Sequence, residues 1–309
     1  KILITESVHP IGPELLTAAG HTVVYADRDM DIIRREIVDA DAVLVRIIEL
    51  PGSLLATAKN LKIVSKHGVG YDNIDLDYCK SHGVAVTITP NANSLSVAEH
   101  AFTLMLTLAK NIIPVSNEYR TVGFAAKNHA PGIEMTGKTL GLVGMGRIGK
   151  HILHMCRDGL DMHVIVYDPY ISEVPEGVER VDDLSELLRR ADVVTLHCLL
   201  TDETRKLIDR ERLALMKPTA LLINCARGPI VDEAALIEAL ENGRLAGAGL
   251  DVTDPEPVAP DSPLFKLPNV IVTPHYAPTT VESATRVSKI AAENINAVLA
   301  GQEPVGRIV

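Results

Sequence analysis

The chain has 309 residues, 47% of them hydrophobic, enough for a large core and for two domains of ordinary size. With 30 Lys and Arg against 40 Asp and Glu the net charge is −10, so the clustered positive field that a nucleic acid demands is missing. No apolar run approaches the roughly 18 residues of a membrane span, and the four scattered cysteines, Cys79, Cys156, Cys198 and Cys225, form no CxxC pair, which argues against a disulfide framework or zinc site and fits a reducing cytoplasm.

In chain order, short β-branched runs alternate with helical segments: KILIT, DAVLVR, LKIVS and VAVTI in the first hundred residues, then TLGLVG, HVIVYD, DVVTLH, ALLINC, AGAGLDV and VIVT. Runs apolar on both faces and separated by helices are the pattern of buried parallel strands, so the predicted class is α/β with two doubly wound units. Lys1 opens the sequence without a basic-then-apolar leader, and a first residue other than Met leaves room for residues upstream.

Between the units, NSLSVAEHAFTLMLTLAKNI gives Ser96 and Glu99 the spacing of a capping box, and Ala101, Leu104, Met105, Leu108 and Ile112 recur on one helical face. A long helix is expected to start there. The following YRTVGFAAKNHAPGIEMTGK has no clear periodicity and reads either as an oligomer arm or as an ordinary surface loop. A last helix, about Thr279 to Leu299, can return to the first unit and make it discontinuous. The predicted domains are residues 1–95 plus 283–309 and residues 96–282.

GLVGMGRIGKHI places Gly144, Gly146 and Gly149 as GxGxxG, weak evidence alone because glycines punctuate many loops. Here a strand, Thr139 to Val143, leads in and a helix beginning near Arg147 leads out, which turns backbone N–H groups and a helix N-terminus toward a pyrophosphate. The next strand ends at Asp168, and 168 − 144 = 24, near the spacing of about 20 at which an acid receives the ribose hydroxyls. A carboxylate there repels a 2′-phosphate and DPYIS holds no arginine to attract one, so NAD is expected rather than NADP. His197 ends a further apolar run at the edge where open α/β sheets bind ligands, and reads as a cofactor contact or a hydrogen-bonded strand end. His151 and His154 lack an accompanying carboxylate or cysteine at ligand spacing, so no metal is expected.

Three polar residues each close an apolar strand on the same side of the predicted sheet: Arg227 after ALLINCA, Glu256 in LDVTDPEP and His275 after VIVTP. A histidine beside a glutamate has its cationic form stabilised and is suited to exchange a proton with a substrate oxygen. Arg227, on a corner stiffened by Gly-Pro, offers a bidentate clamp for a carboxylate, or else a salt bridge to a neighbour such as Asp232. The set matches an α-keto or α-hydroxy acid, with hydride chemistry supplied by nicotinamide. Lys66, His67 and Arg46 read as a subsite for a second anionic group such as phosphate or sulfonate, or as solvated surface cations.

With these motifs in order the chain resembles the D-2-hydroxyacid dehydrogenase family, nearest its phosphoglycerate dehydrogenase branch. The resemblance covers nearly the whole chain and is carried by HGVGYDNID (His67 to Asp75), TPNANSLSVAEH (Thr89 to His100), GKTLGLVGMGRIG (Gly137 to Gly149), NCARGPIVDE (Asn224 to Glu233), LDVTDPEP (Leu250 to Pro257) and TPH (Thr273 to His275). It implies two Rossmann-like domains, the substrate domain flavodoxin-like and discontinuous. It implies that His275 is the acid/base, Glu256 its partner and Arg227 the residue that orients the substrate carboxylate, with the N–H groups of Gly68, Val69 and Gly70 holding that carboxylate. Asp251 would sit near the nicotinamide carboxamide, with Arg147, Ile148, Thr204, Cys225, Ala226 and Ala277 lining the cofactor.

The implied activity is reversible hydride transfer between NAD(H) and a small 2-keto or 2-hydroxy acid of the 3-phosphoglycerate, glycerate/hydroxypyruvate or glyoxylate type, with a D alcohol centre. The implied assembly is a homodimer through the long helix, and closure would bend the crossings near Pro90 to Ser96 and His275 to Ser283. Two positions depart from the family pattern: Cys198-Leu199-Leu200 where Cys-Pro-Leu is common, and Tyr276-Ala277 where a small aliphatic and a glycine are usual, so a phenol narrows the pocket and substrate choice stays open. The sequence stops at Val309, so the C-terminal regulatory domain of some phosphoglycerate dehydrogenases is not expected. Formate-dehydrogenase-like enzymes pair the histidine with glutamine, which Glu256 disfavours; the remaining alternative is an NAD(H)-sensing regulatory protein of the same fold.

Overall fold

Five short strands, β1 (Ile2–Ile4), β2 (Val23–Tyr25), β3 (Ala42–Val45), β4 (Ile63–Lys66) and β5 (Ala85–Thr87), lie parallel in the order β2-β1-β3-β4-β5, the flavodoxin-like order. They form the sheet of the first of two units into which the computed structural model, describing residues 1–309, divides: residues 1–93 with 278–309, and residues 94–277. β1, β3 and β4 are buried along their whole length because both faces are covered. One face, with Leu3, Val43, Val45, Val64 and Val86, packs on Ile33 and Ile37; the other, with Ile2, Ile4, Ala42, Leu44, Ile63 and Ala85, packs on Leu16, Ala291, Ala292 and Ile295. The last three come from the helix Val281–Leu299, whose N-cap Thr280 accepts from the Ser283 amide at 3.1 Å.

The second unit holds seven parallel strands, β6 (Thr139–Val143), β7 (His163–Tyr167), β8 (Val178–Arg180), β9 (Val193–Leu196), β10 (Leu221–Asn224), β11 (Gly247–Leu250) and β12 (Val270–Val272). Their order is β12-β11-β10-β9-β6-β7-β8, so the winding reverses between β6 and β9, where open sheets of this class bind ligands. Apolar residues fill both sides: Leu140, Leu142, Val164 and Ile223 pack on the helices Ser94–Ala109 and Arg147–Leu160, while Val194, Leu196, Leu222 and Leu250 pack on Leu184–Arg190 and Glu233–Glu241. The registers Leu196↔Asn224, Asn224↔Leu250 and Leu250↔Val272 bring four strands level at their carboxyl ends. His197, Cys225, Asp251 and Thr273 therefore stand in one row.

Several local expectations are corrected. The helix predicted near Ser96 begins at Ser94 and ends at Ala109, because Asn111 adopts a left-handed backbone (φ 52°). Ile112 thus opens a separate helix, Ile112–Val122, and is exposed instead of continuing the buried face. That helix takes in the start of the stretch read as aperiodic, and a 3-10 turn, Gly123–Asn128, follows it. None of its residues is buried. The last helix starts at Val281, two residues later than predicted, because Thr280 serves as its cap. β2 and β8, three-residue strands at sheet edges, lie outside the predicted runs: neither is buried on both faces, although β2 does carry a short β-branched signal, Val23-Val24-Tyr25. No helix is long and apolar enough to cross a membrane.

Candidate active site

β6 runs into Gly144, whose φ of 89° suits glycine and whose amide donates to Tyr167 O at 2.9 Å. A Cβ there would meet the backbone of His197 and Cys198 at 2.8–2.9 Å, so the turn lies flat against the end of β9. Gly146 differs: a Cβ on it would meet nothing within 4 Å, so no protein atom requires a glycine at this point. Gly146 is also the N-cap of the helix Arg147–Leu160 and supplies no side-chain cap, which leaves the first-turn amides of Arg147, Ile148 and Gly149 without an intrahelical partner. Open space facing unpartnered amides at the positive end of a helix fits a pyrophosphate. Asp168, just past β7, is fixed beside the turn: its Oδ2 accepts from Met145 N at 2.9 Å and its Oδ1 from Tyr170 N at 3.0 Å.

His197 follows β9, and its amide donates to Val143 O at 2.8 Å. Its Nε2 lies 2.8 Å from Thr195 Oγ1, while its Nδ1 is buried without a partner. Burial pushes its pKa down to about 3, so the ring is neutral at physiological pH. Thr204 Oγ1 is committed to its own loop, donating to Leu199 O at 2.6 Å and accepting from Thr201 N at 2.7 Å. Cys225 is buried, and burial raises its thiol pKa well above the ordinary value, so it is a protonated wall residue and not a nucleophile.

Arg227 owes its placement to two neighbours. Asn224 brackets the segment, its Oδ1 accepting from Ala226 N at 3.0 Å and its Nδ2 donating to Arg227 O at 2.9 Å. Gly228 then lies so close to the end of β11 that a Cβ would run into the Thr253 carbonyl. Arg227 itself is extended (φ −145°, ψ 141°) and donates from Nη1 to Ala226 O at 2.9 Å. Beyond β11, Asp254 N donates to Glu233 Oε2 at 3.0 Å, which shapes the segment leading to Glu256.

His275 follows β12 with a left-handed backbone, φ 53°, and its Nδ1 is 2.7 Å from Glu256 Oε1. Both side chains are partly exposed. Asp251, at the end of β11 and only 1% exposed, accepts at Oδ1 from Thr273 Oγ1 (2.6 Å) and Tyr276 N (2.7 Å) and at Oδ2 from Ala277 N (2.9 Å). Arg227, Asp251, Glu256, His275 and Ala277 thus follow three adjacent strands, and Gly144, Gly146, Asp168 and His197 follow the next three. Three residues of this edge were not singled out in the sequence: Asn224, Thr273 and His100, the last of which reaches Thr273 Oγ1 at 3.0 Å from the helix Ser94–Ala109. Asn224 and Thr273 had a signal, since each is a polar residue closing an apolar run.

In the first unit, the loop after β4 carries Gly68, whose carbonyl accepts from Thr89 N at 2.9 Å. The amides of Val69 and Gly70 make no hydrogen bond within that unit. Lys66 does not present a solvated surface cation: its buried ammonium bonds Asn73 Oδ1 at 2.7 Å and the Arg46 carbonyl. Arg46 donates from Nη1 to Ser7 O at 2.8 Å. Burial, then the nearby Arg46 and Lys66 charges, push the His67 pKa down to about 3, so it is neutral too.

Residues 102–277 match the model of the NAD-binding domain of D-isomer-specific 2-hydroxyacid dehydrogenases. The chain belongs to the D-2-hydroxyacid dehydrogenase family. It is 42% identical over 306 residues to the D-3-phosphoglycerate dehydrogenase of Methanocaldococcus jannaschii, covering 98% of this chain and 58% of that one. To the glyoxylate reductase of Thermofilum pendens it is 38% identical over 319 residues, covering 98% and 93%. The solved structure of D-lactate dehydrogenase from Aquifex aeolicus, complexed with NAD and lactic acid, superposes with a TM-score of 0.89 at 31% identity, covering 97% and 96%. The chain spans little more than half the length of the phosphoglycerate dehydrogenase it matches. The matched family domain binds NAD, and in the second unit the open turn at Gly146 and the free helix N-terminus beside Asp168 have the form a dinucleotide pyrophosphate fits.

Proposed function

We propose that the chain catalyses reversible hydride transfer between NAD(H) and a small 2-keto or 2-hydroxy acid, with His275 as acid/base, Glu256 as its partner and Arg227 as the carboxylate clamp. The observation that carries this reading is the 2.7 Å contact between His275 Nδ1 and Glu256 Oε1 at the sheet edge that also carries Arg227. Because Nδ1 faces the glutamate, Nε2 is the atom that exchanges a proton with the substrate oxygen. Glu256 orients the ring and balances its charge when protonated. Arg227 grips the carboxylate with two parallel N–H donors and draws electron density from the adjacent carbonyl. Bound nicotinamide supplies the hydride for reduction and receives it in oxidation. In the first unit the same reading gives an anion to the loop Gly68, Val69 and Gly70, chiefly through the Val69 and Gly70 amides, because the Gly68 amide already donates to Lys66 O at 3.0 Å.

In the second unit, Asp168 is the group that favours NAD over NADP, and Arg147, Ile148, His197, Thr204, Cys225, Ala226, Asp251 and Ala277 complete the cofactor lining. His67 is neutral, and the buried Lys66 ammonium is engaged by Asn73 Oδ1 and the Arg46 carbonyl, which favours substrates with one carboxylate and a short remainder. The exposed apolar residues of the helix Ile112–Val122 and the turn after it, among them Ile112, Ile113, Tyr119, Val122 and Phe124, suit burial against a second copy of the chain, making a homodimer. Four free cysteines suit a reducing cytoplasm.

The test is NADH consumption with a panel of phosphohydroxypyruvate, hydroxypyruvate, glyoxylate and pyruvate. Turnover with at least one, giving a D alcohol, is expected. NADH binding without consumption of any of them would replace the enzyme by an NAD(H) sensor.

A further inference from the structure

We propose that His100 is a positioning residue for His275, acting through Thr273 and Asp251. This rests on His275 being the acid/base. The left-handed backbone of His275 (φ 53°) is uncommon for a residue with a side chain and persists only where its surroundings over-determine it. Asp251 provides that restraint. Its carbonyl accepts from His275 N at 2.8 Å, and its carboxylate accepts from Tyr276 N and Ala277 N at 2.7 and 2.9 Å, so one residue holds three consecutive amides.

The orientation of that carboxylate depends in turn on Thr273, whose hydroxyl lies 2.6 Å from Oδ1. A carboxylate has only lone pairs to offer, so the single hydroxyl hydrogen of Thr273 goes to Asp251. The Thr273 oxygen is then left to accept, and the donor is His100 Nε2 at 3.0 Å, which fixes Nε2 as the nitrogen that carries a hydrogen. The same nitrogen is 3.5 Å from Asp251 Oδ1, and the His100 side chain is only 17% exposed. His100 belongs to the helix Ser94–Ala109, which packs across β10, β11 and β12, so the network ties the His275 loop to an element outside it. Without that donor, the Thr273 hydroxyl can turn away from Asp251 Oδ1, the carboxylate keeps only its two amide partners, and the loop can relax from its left-handed conformation.

Glutamine and asparagine variants decide the matter, because the Gln amide nitrogen stands where Nε2 stands and the Asn amide nitrogen where Nδ1 stands. His100→Leu and His100→Asn are expected to lower kcat on the order of 10- to 100-fold with the keto-acid KM changed less than about threefold, while His100→Gln recovers most of the loss. Thr273→Val should behave like His100→Leu, and Thr273→Ser like the parent. Equal kcat for His100→Asn and His100→Gln, or parental kcat in His100→Leu, overturns the proposal. His275→Ala run alongside separates the two levels: if it also keeps parental turnover, the acid/base assignment is what fails. Should His100→Leu not fold, the Asn and Gln pair still decides.

Discussion

Glu256 Oε1 stands 2.7 Å from His275 Nδ1, and both side chains keep partial contact with solvent. A pair so exposed contributes little to folding, on the order of 1 kcal/mol or less, so its removal separates chemistry from stability. His275→Ala is expected to lower turnover by roughly 10²- to 10⁴-fold while NADH still binds and the melting temperature holds. Glu256→Gln, which keeps an oxygen near Nδ1 but loses the charge, should fall less, about tenfold. Near-parental turnover in His275→Ala removes the assignment.

On the proposed reading Asp168 carries the choice of dinucleotide. Replacing it with Ala removes the carboxylate that meets a 2′-phosphate, so NAD binding should weaken more than NADP binding, as read from fluorescence titration. Since Asp168 also accepts from Met145 N at 2.9 Å, some loss is expected with both cofactors. An unchanged NAD to NADP ratio counts against the role.

His197 gives a pH signature. Its pKa is about 3 in the folded protein against an ordinary 6.5, so below pH 6.5 the unfolded chain takes up a proton that the folded chain refuses. The associated stability is fully present above pH 6.5 and is lost as pH falls toward 3, at up to about 1.4 kcal/mol per pH unit. Urea midpoints at pH 7 and pH 5 should differ less in His197→Gln than in the parent. An equal drop in both proteins would mean that other groups dominate.

Gly228 is held against the Thr253 carbonyl. Gly228→Ala forces that contact apart at a cost of roughly 1–3 kcal/mol, and because Arg227 is its neighbour the folded variant should also lose kcat/KM for the keto acid. A variant that is destabilised but keeps parental kcat/KM would show that Arg227 does not need this corner.

The apolar residues on and after the helix Ile112–Val122 predict association. Phe124 is 73% exposed, and Phe124→Glu together with Val122→Glu should shift the mass in solution from dimer to monomer by light scattering. A monomeric parent would leave that surface unexplained.

Much of the architecture was legible because parallel strands covered on both faces, such as Ala42–Val45 and Leu221–Asn224, write themselves as unbroken apolar runs. Strand ends then brought His275 and Glu256 together, since neighbouring strands of known direction leave few other places for them. What stayed hidden depends on partners far along the chain. Lys66 looks like any strand-end cation until Asn73 and the Arg46 carbonyl enclose it. His100 sits on a helix whose pattern announces only its apolar side, and its bond to Thr273 spans 173 positions. The break at Asn111 turns on one left-handed residue, which apolar periodicity does not register.

The helix Val281–Leu299 supplies Ala291, Ala292 and Ile295 to one side of a sheet whose strands all lie before residue 88. A ribosome therefore finishes the second unit while the first still shows an oily surface to the cell. That surface must wait for the helix to emerge, so the nascent chain passes through a stage in which one half is complete and the other is sticky. Chaperone capture and aggregation would both concentrate in that interval, and the order of assembly would run opposite to the order of synthesis.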